Sequence, residues 1–135
     1  MAQRQAAPNA KEYPSPDQGV VALITSTRAP QATRESSVEL RSQSGKVLAR
    51  MDYTSLDGEH GYGVVKAAWT PDSQFFVYSL ESSGGHQSWH SRVQVYSRKQ
   101  SHIFNLDNAL KDAVINPQFQ IKAPDQVTVE LAFRK

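Results

Sequence analysis

Two short stretches of this 135-residue chain hold most of the side chains that can do chemistry: Asp57, Glu59, His60 and Tyr62 in residues 57–63, and Glu81, His86, Gln87, Trp89 and His90 in residues 81–90. Three chemistries compete for them. His60, His86 and His90, with Glu59, Asp57 or Glu81 as a fourth ligand, form a set that zinc accepts at about 2.0–2.2 Å. Against this, a spacing of four brings His86 and His90 together only on a helix, and Gly84-Gly85 opposes one; solvated loop histidines are the plainer reading. Recognition of a protein, peptide or glycan is the second chemistry. Trp89 and Tyr62 supply flat apolar faces, and His60, His86, Gln87 and His90 supply hydrogen-bonding groups around them. Trp89 has a competing role, packing at the start of the strand that follows. The third is acyl transfer: Ser82, Ser83, Ser88 and Ser91 lie near His86 and His90, and the amides of residues 83–86 can cradle an oxyanion. No Gly-x-Ser-x-Gly elbow, phosphate-binding loop, dinucleotide fingerprint or metalloprotease motif is present. A non-catalytic binding module is therefore expected, with metal binding or metal-dependent hydrolysis through the three histidines as the alternative. No cofactor is expected.

The elements that must position these loops are strands. Residues 20–25 form an apolar run, residues 38–41 and 47–53 flank a Ser-Gln-Ser-Gly-Lys hairpin turn, and residues 64–69 and 75–79 flank Thr-Pro-Asp-Ser. Residues 93–96 and 102–105 follow, then a short helix that Asp107 can cap, with Leu106, Leu110, Ala113 and Val114 on one side. Residues 118–122 and 127–133 complete the strands. In an up-and-down meander, the loop entering a strand and the loop leaving the next lie at one end. Residues 57–63 and 81–90 should therefore converge, opposite the Thr-Pro-Asp-Ser turn.

The strands repeat. Ser15-Pro16-Asp17-Gln18 before residues 20–24 recurs as Thr70-Pro71-Asp72-Ser73 before residues 75–78, 55 positions on. The same offset carries Val38-Glu39-Leu40 onto Val93-Gln94-Val95, and a partial third copy starts at Pro124-Asp125. Proline presets the turn and aspartate accepts backbone hydrogen bonds two residues ahead, so each pair should stop one strand and start another. Repeats of this length mean stacked supersecondary units. The Trp69-Thr70-Pro71-Asp72-Ser73 stretch resembles the Trp-Ser-Pro-Asp-Gly motif of TolB-type β-propeller repeats, with Gln18, Ser73 and Gln126 standing where that motif has glycine. The resemblance implies four-stranded antiparallel blades that bind proteins, peptides or small ligands. Two and a fraction units do not close a ring, for which about four blades are needed. The expected fold is all-β: two tandem four-stranded blade-like units, residues 15–69 and 70–122, packed as a small sandwich or an incomplete propeller. A partial third unit spans 123–135, and its last strand offers an edge for self-association.

Composition sets outer limits. Fifteen Lys and Arg are interleaved with thirteen Asp and Glu for a formal net charge of +2, and no basic block marks a nucleic-acid surface. The chain has no cysteine, so thiolate sites and disulfides are excluded. No apolar run approaches the roughly 20 residues of a membrane span. Residues 1–14 read as a polar, disordered tail of the kind left by signal cleavage, which gives an expected periplasmic or secreted location.

Overall fold

A computed structural model describes residues 10–26, 35–57, 60–84, 92–111 and 114–131. It contains two four-stranded antiparallel sheets and a two-stranded hairpin. The first sheet is β1 (Ala10–Pro14), β2 (Val20–Ser26), β3 (Ser36–Ser42) and β4 (Val47–Asp52) in sequential order. The second is β5 (Tyr62–Trp69), β6 (Phe75–Ser82), β7 (Arg92–Ser97) and β8 (His102–Asn105), also sequential. A one-turn helix α1 (Leu106–Leu110) leads toward the hairpin of β9 (Gln120–Lys122) and β10 (Gln126–Thr128). No helix among the described residues is long and apolar enough to cross a membrane.

The two sheets stack face to face. Val20, Ala22, Ile24, Val38 and Leu40 from the first meet Phe76, Tyr78, Leu80 and Tyr96 from the second in one buried cluster. The first sheet alternates buried and half-buried residues along β2 and β3, as a sheet with one wet face must. The second is covered on both sides, so β6 reads Phe-Val-Tyr-Ser-Leu with every residue buried from 76 to 80. Its far face holds Val77, Val93 and Val95 against Val114 and Phe119 of the segment entering the hairpin. The order is therefore sheet, sheet, hairpin. Three polar side chains inside the first interface are joined: the Tyr53 and Tyr78 hydroxyls share a hydrogen bond of 2.7 Å, and Gln94 Nε2 donates to Tyr53 Oη at 3.1 Å, while Gln94 Oε1 is buried without a hydrogen bond. Burial pushes both phenols above their ordinary pKa.

The first two Pro-Asp corners match bond for bond; the third departs from them, with a cis Ala123–Pro124 bond and no left-handed residue after its aspartate. Asp17 Oδ1 accepts from the Ser15 hydroxyl (2.7 Å) and the Gly19 N–H (2.9 Å), and Ser15 Oγ accepts from Val20 N (3.1 Å). Fifty-five residues on, Asp72 Oδ1 accepts from Thr70 Oγ1 (2.7 Å) and Gln74 N (3.0 Å), and Thr70 Oγ1 accepts from Phe75 N (3.2 Å). Gln18 and Ser73 take φ of 62° and 65°, the left-handed conformation that glycine adopts without strain. The corners also stack. Asp17 N donates to Ser73 Oγ at 2.9 Å, and Asp72 N donates to the Pro124 carbonyl at 3.1 Å. Arg98 Nη1 reaches both Asp17 Oδ2 (2.6 Å) and the Ser73 carbonyl (3.1 Å). Hydrogen bonds from Gly19 N and the Ser15 hydroxyl, and then from Arg98, hold the Asp17 carboxyl at about 2 against an ordinary 3.8.

Several sequence expectations need correction. Each corner lies inside its sheet, between first and second strands, because β1 and β5 pair with β2 and β6 across it. The hydrogen-bonded sheets run 10–52 and 62–105, each beginning one strand ahead of its corner. Residues 10–14, read as the end of a tail, are an edge strand; Trp69 Nε1 donates to the Tyr13 carbonyl at 2.7 Å and ties that strand to the next sheet. The helix is capped by Asn105, whose side chain accepts from Asn108 N. Asp107 is drawn inward instead, where its carboxylate accepts from Val93 N (3.1 Å) and Val114 N (2.8 Å). β10 covers 126–128 and Leu131 forms an isolated bridge with Val114, while residues 132 and 133 of the expected last strand lie outside the described residues.

Candidate functional site

The end of the sheets opposite the Pro-Asp corners is organised by a residue that no sequence pattern marked. Glu35 stands immediately before β3 and is 1% exposed. Its Oε1 accepts from Ser55 N at 2.6 Å, and its Oε2 accepts from Ser55 Oγ (2.6 Å), Gly61 N (2.7 Å) and Ser83 Oγ (2.7 Å). One carboxylate thus gathers three segments: the entry to β3, the β4–β5 loop, and the stretch leaving β6. Burial alone would raise its pKa. The donors at Ser55, Ser83 and Gly61 outweigh that penalty and hold the carboxyl below the usual glutamate range.

Backbone contacts close the same clasp. Tyr62 N donates to the Tyr53 carbonyl at 2.9 Å, pinching the base of the β4–β5 loop. Ser83 N donates to the Gly61 carbonyl at 3.0 Å, so the two glycine-bearing loops meet where they are described. Gly61 is required by space: a Cβ there would stand 2.2 Å from the Tyr53 carbonyl oxygen and 2.5 Å from Glu35 Oε2. Ser36 Oγ accepts from Val64 N at 3.0 Å and joins the first sheet to the second beside the clasp.

On this fixed base sits an exposed tip. Leu56 is fully exposed. Beside it, His60 Nδ1 lies 2.5 Å from Asp57 Oδ2, with both side chains more than half exposed. His60 N donates to Ser55 Oγ at 3.2 Å, which ties the histidine's backbone to the residue that Glu35 holds. Tyr62 opens β5 half-buried against the inter-sheet cluster, and the Arg92 guanidinium carbon lies 5.1 Å from its ring centroid. Glu81 stands opposite Gly63 in the β5–β6 ladder.

Of the expected site residues, His60 and Tyr62 are thus brought to one end, with Asp57 paired to His60. His86, Gln87, Trp89 and His90 lie outside the described residues, as does Glu59. Among the described residues no three His, Cys, Asp or Glu side chains gather as a metal-ligand set. No sequence pattern marks Glu35 or Ser55, and Ser83 stands out only as a candidate nucleophile, because the three meet across 20 and 48 residues of sequence. A lone glutamate in a serine-rich stretch has the look of a solvated loop residue. Set against protein-family models and against curated proteins, the chain matches none.

Proposed function

We propose that this chain is a non-catalytic binding module that recognises a protein or peptide through the β4–β5 loop and the loop between β6 and β7. The observation that carries this reading is the fully exposed Leu56 on a loop whose base is fixed by buried Glu35. Side chains displayed from a rigid base lose little freedom on binding, and so more of the contact energy appears as affinity. An apolar tip beside the Asp57–His60 pair matches a peptide or protein surface better than a glycan, which stacks on flat aromatic faces. The resemblance of the Trp69–Ser73 stretch to TolB-type repeats supports a binding role of the same kind.

Selection from a displayed peptide library, with a glycan array in parallel, tests the reading. The wild-type chain should select ligands that a Leu56→Asp, His60→Ala double variant fails to bind. Both positions are exposed, so the variant's stability should stay within about 0.5 kcal/mol of wild type. Ligands bound equally by both proteins, or none selected by either, would sink it.

Metal binding is a second reading, favoured by Asp57 Oδ2 on His60 Nδ1, since metal-ligating histidines commonly have a carboxylate on the other ring nitrogen. Calorimetric titration with zinc, against His60→Ala, decides it: a stoichiometric heat lost in the variant supports the reading and a flat titration ends it.

A further inference from the structure

The hairpin layer is narrower than the sheet beneath it. Lys66 Nζ donates to the Phe119 carbonyl (2.5 Å) and Ser79 Oγ to the Pro117 carbonyl (2.8 Å), which pins the approach to β9 over β5 and β6. β10 and the residue after it, through Val127 and Val129, line one cleft with Phe104 of β8 and Leu106 and Leu110 of α1. The strip left open is a cleft of about 210 Å³ walled by Phe104, Leu106 and Leu110 on one side and Val127 and Val129 on the other, with Phe75 at its base. It adjoins a larger, more polar cleft of about 600 Å³ that shares Phe75, Phe104 and Asp125. β10 is hydrogen-bonded to β9 along one side, and along its other side no strand pairs with it among the described residues.

We infer that this edge and cleft take an extended segment of a partner protein, which pairs antiparallel with β10 and turns alternate apolar side chains onto Phe104, Leu106 and Leu110. The internal repeat gives the occupant its form. β10 pairs antiparallel with β9 as β2 pairs with β1 and β6 with β5, and it follows Pro124-Asp125 in the sequence, through a tighter turn than the first two corners make. In both earlier layers the position beside that strand is filled by an antiparallel strand of alternating character, Ser-Ser-Val-Glu-Leu-Arg-Ser in β3 and Arg-Val-Gln-Val-Tyr-Ser in β7. The open strip is continuous with the interface already formed between the hairpin and the second sheet through Val77, Val93 and Val95. Added strands gain affinity from main-chain hydrogen bonds and selectivity from alternate side-chain pockets. A second copy of the chain is the other occupant, and its signature is self-association of the free protein.

The test uses a synthetic peptide matching residues 91–98, titrated into the isotope-labelled full chain and followed by amide spectra. Binding should shift Phe104 and Leu110, slow hydrogen exchange at 126–129, and leave Asp57 and His60 unmoved, which separates this surface from the loop end. A peptide with its Val and Tyr replaced by Asp should not bind. Leu110→Asp, at a position 43% exposed, should weaken binding at least about tenfold. Shifts centred on β1 or β4, no shifts at any concentration, or a dimer of the free chain in light scattering whose β10 amides are already protected would each overturn the inference.

Discussion

At one end of the sheets the Thr70 corner copies the Ser15 corner bond for bond, and the two then stack through Ser73 and Arg98. At the other end Glu35 collects its donors from three separate segments, and the residue 55 positions on from it is a histidine, His90. The corner end is thus written twice and the clasp end once. Short, repeated hydrogen bonds build a scaffold that tolerates duplication. A single buried carboxylate marks the end that has become individual, and it is there that the exposed Leu56 and the Asp57–His60 pair are displayed.

Removing the clasp should have the largest effect. Glu35→Ala strands donors at Ser55, Gly61 and Ser83 and should cost about 3 kcal/mol in urea denaturation. Gly61→Ala forces a Cβ onto backbone and should cost about 2 kcal/mol, with amide shifts confined to residues 53–62 and 83. Acid should find the clasp as well. Because the folded Glu35 carboxyl lies below its ordinary value, the unfolded chain takes up the proton first. Its contribution is complete above the ordinary glutamate pKa and is lost as pH falls toward the folded value. Glu35→Gln should remove that part of the acid dependence, while Asp17→Asn should remove only a lower window, between 3.8 and about 2. A Glu35→Gln protein with an unchanged acid profile would refute the clasp.

At the corner end the effects should be smaller and matched. Ser15→Ala and Thr70→Val each delete the hydroxyl that bridges the aspartate to the next strand, and each should cost about 1 kcal/mol, equal to within about 0.5. Unequal costs would show that the two corners are alike in geometry only. Smallest of all, Gln18→Gly relieves a positive φ at an exposed position and should raise stability by about 0.5 kcal/mol, net of glycine's added chain entropy.

The same contrast explains what could be read from the residues. The first two Pro-Asp corners, the Gly45 turn and most strand positions were legible, since each depends on neighbours within about five residues; the third corner was not, its Ala123–Pro124 bond being cis. So was the meeting of the two loops, which follows from meander geometry. β1 was not. Ala, Lys, Glu and Pro make a weak strand, and only pairing with β2 and the cover given by Trp69 make it one. The helix cap failed for a related reason: Asp107 and Asn105 both suit a cap, but Val93 N and Val114 N, distant in sequence, claim the aspartate. Glu35 failed most completely, because all of its meaning lies in partners at least 20 residues away.

The outward side of the first sheet carries Glu39 between Arg41 and Arg50, with Arg41 Nη2 2.5 Å and Arg50 Nε 3.9 Å from its carboxylate. Those crossed charges finish that surface, since a further β-layer laid on it would have to strip water from all three. The hairpin side is apolar and open along one margin. The two outer surfaces therefore differ, and a further like module should stack more readily on the hairpin side than on the first sheet. Chimeras carrying an extra 55-residue module should accept it beyond the hairpin and reject it ahead of Ala10.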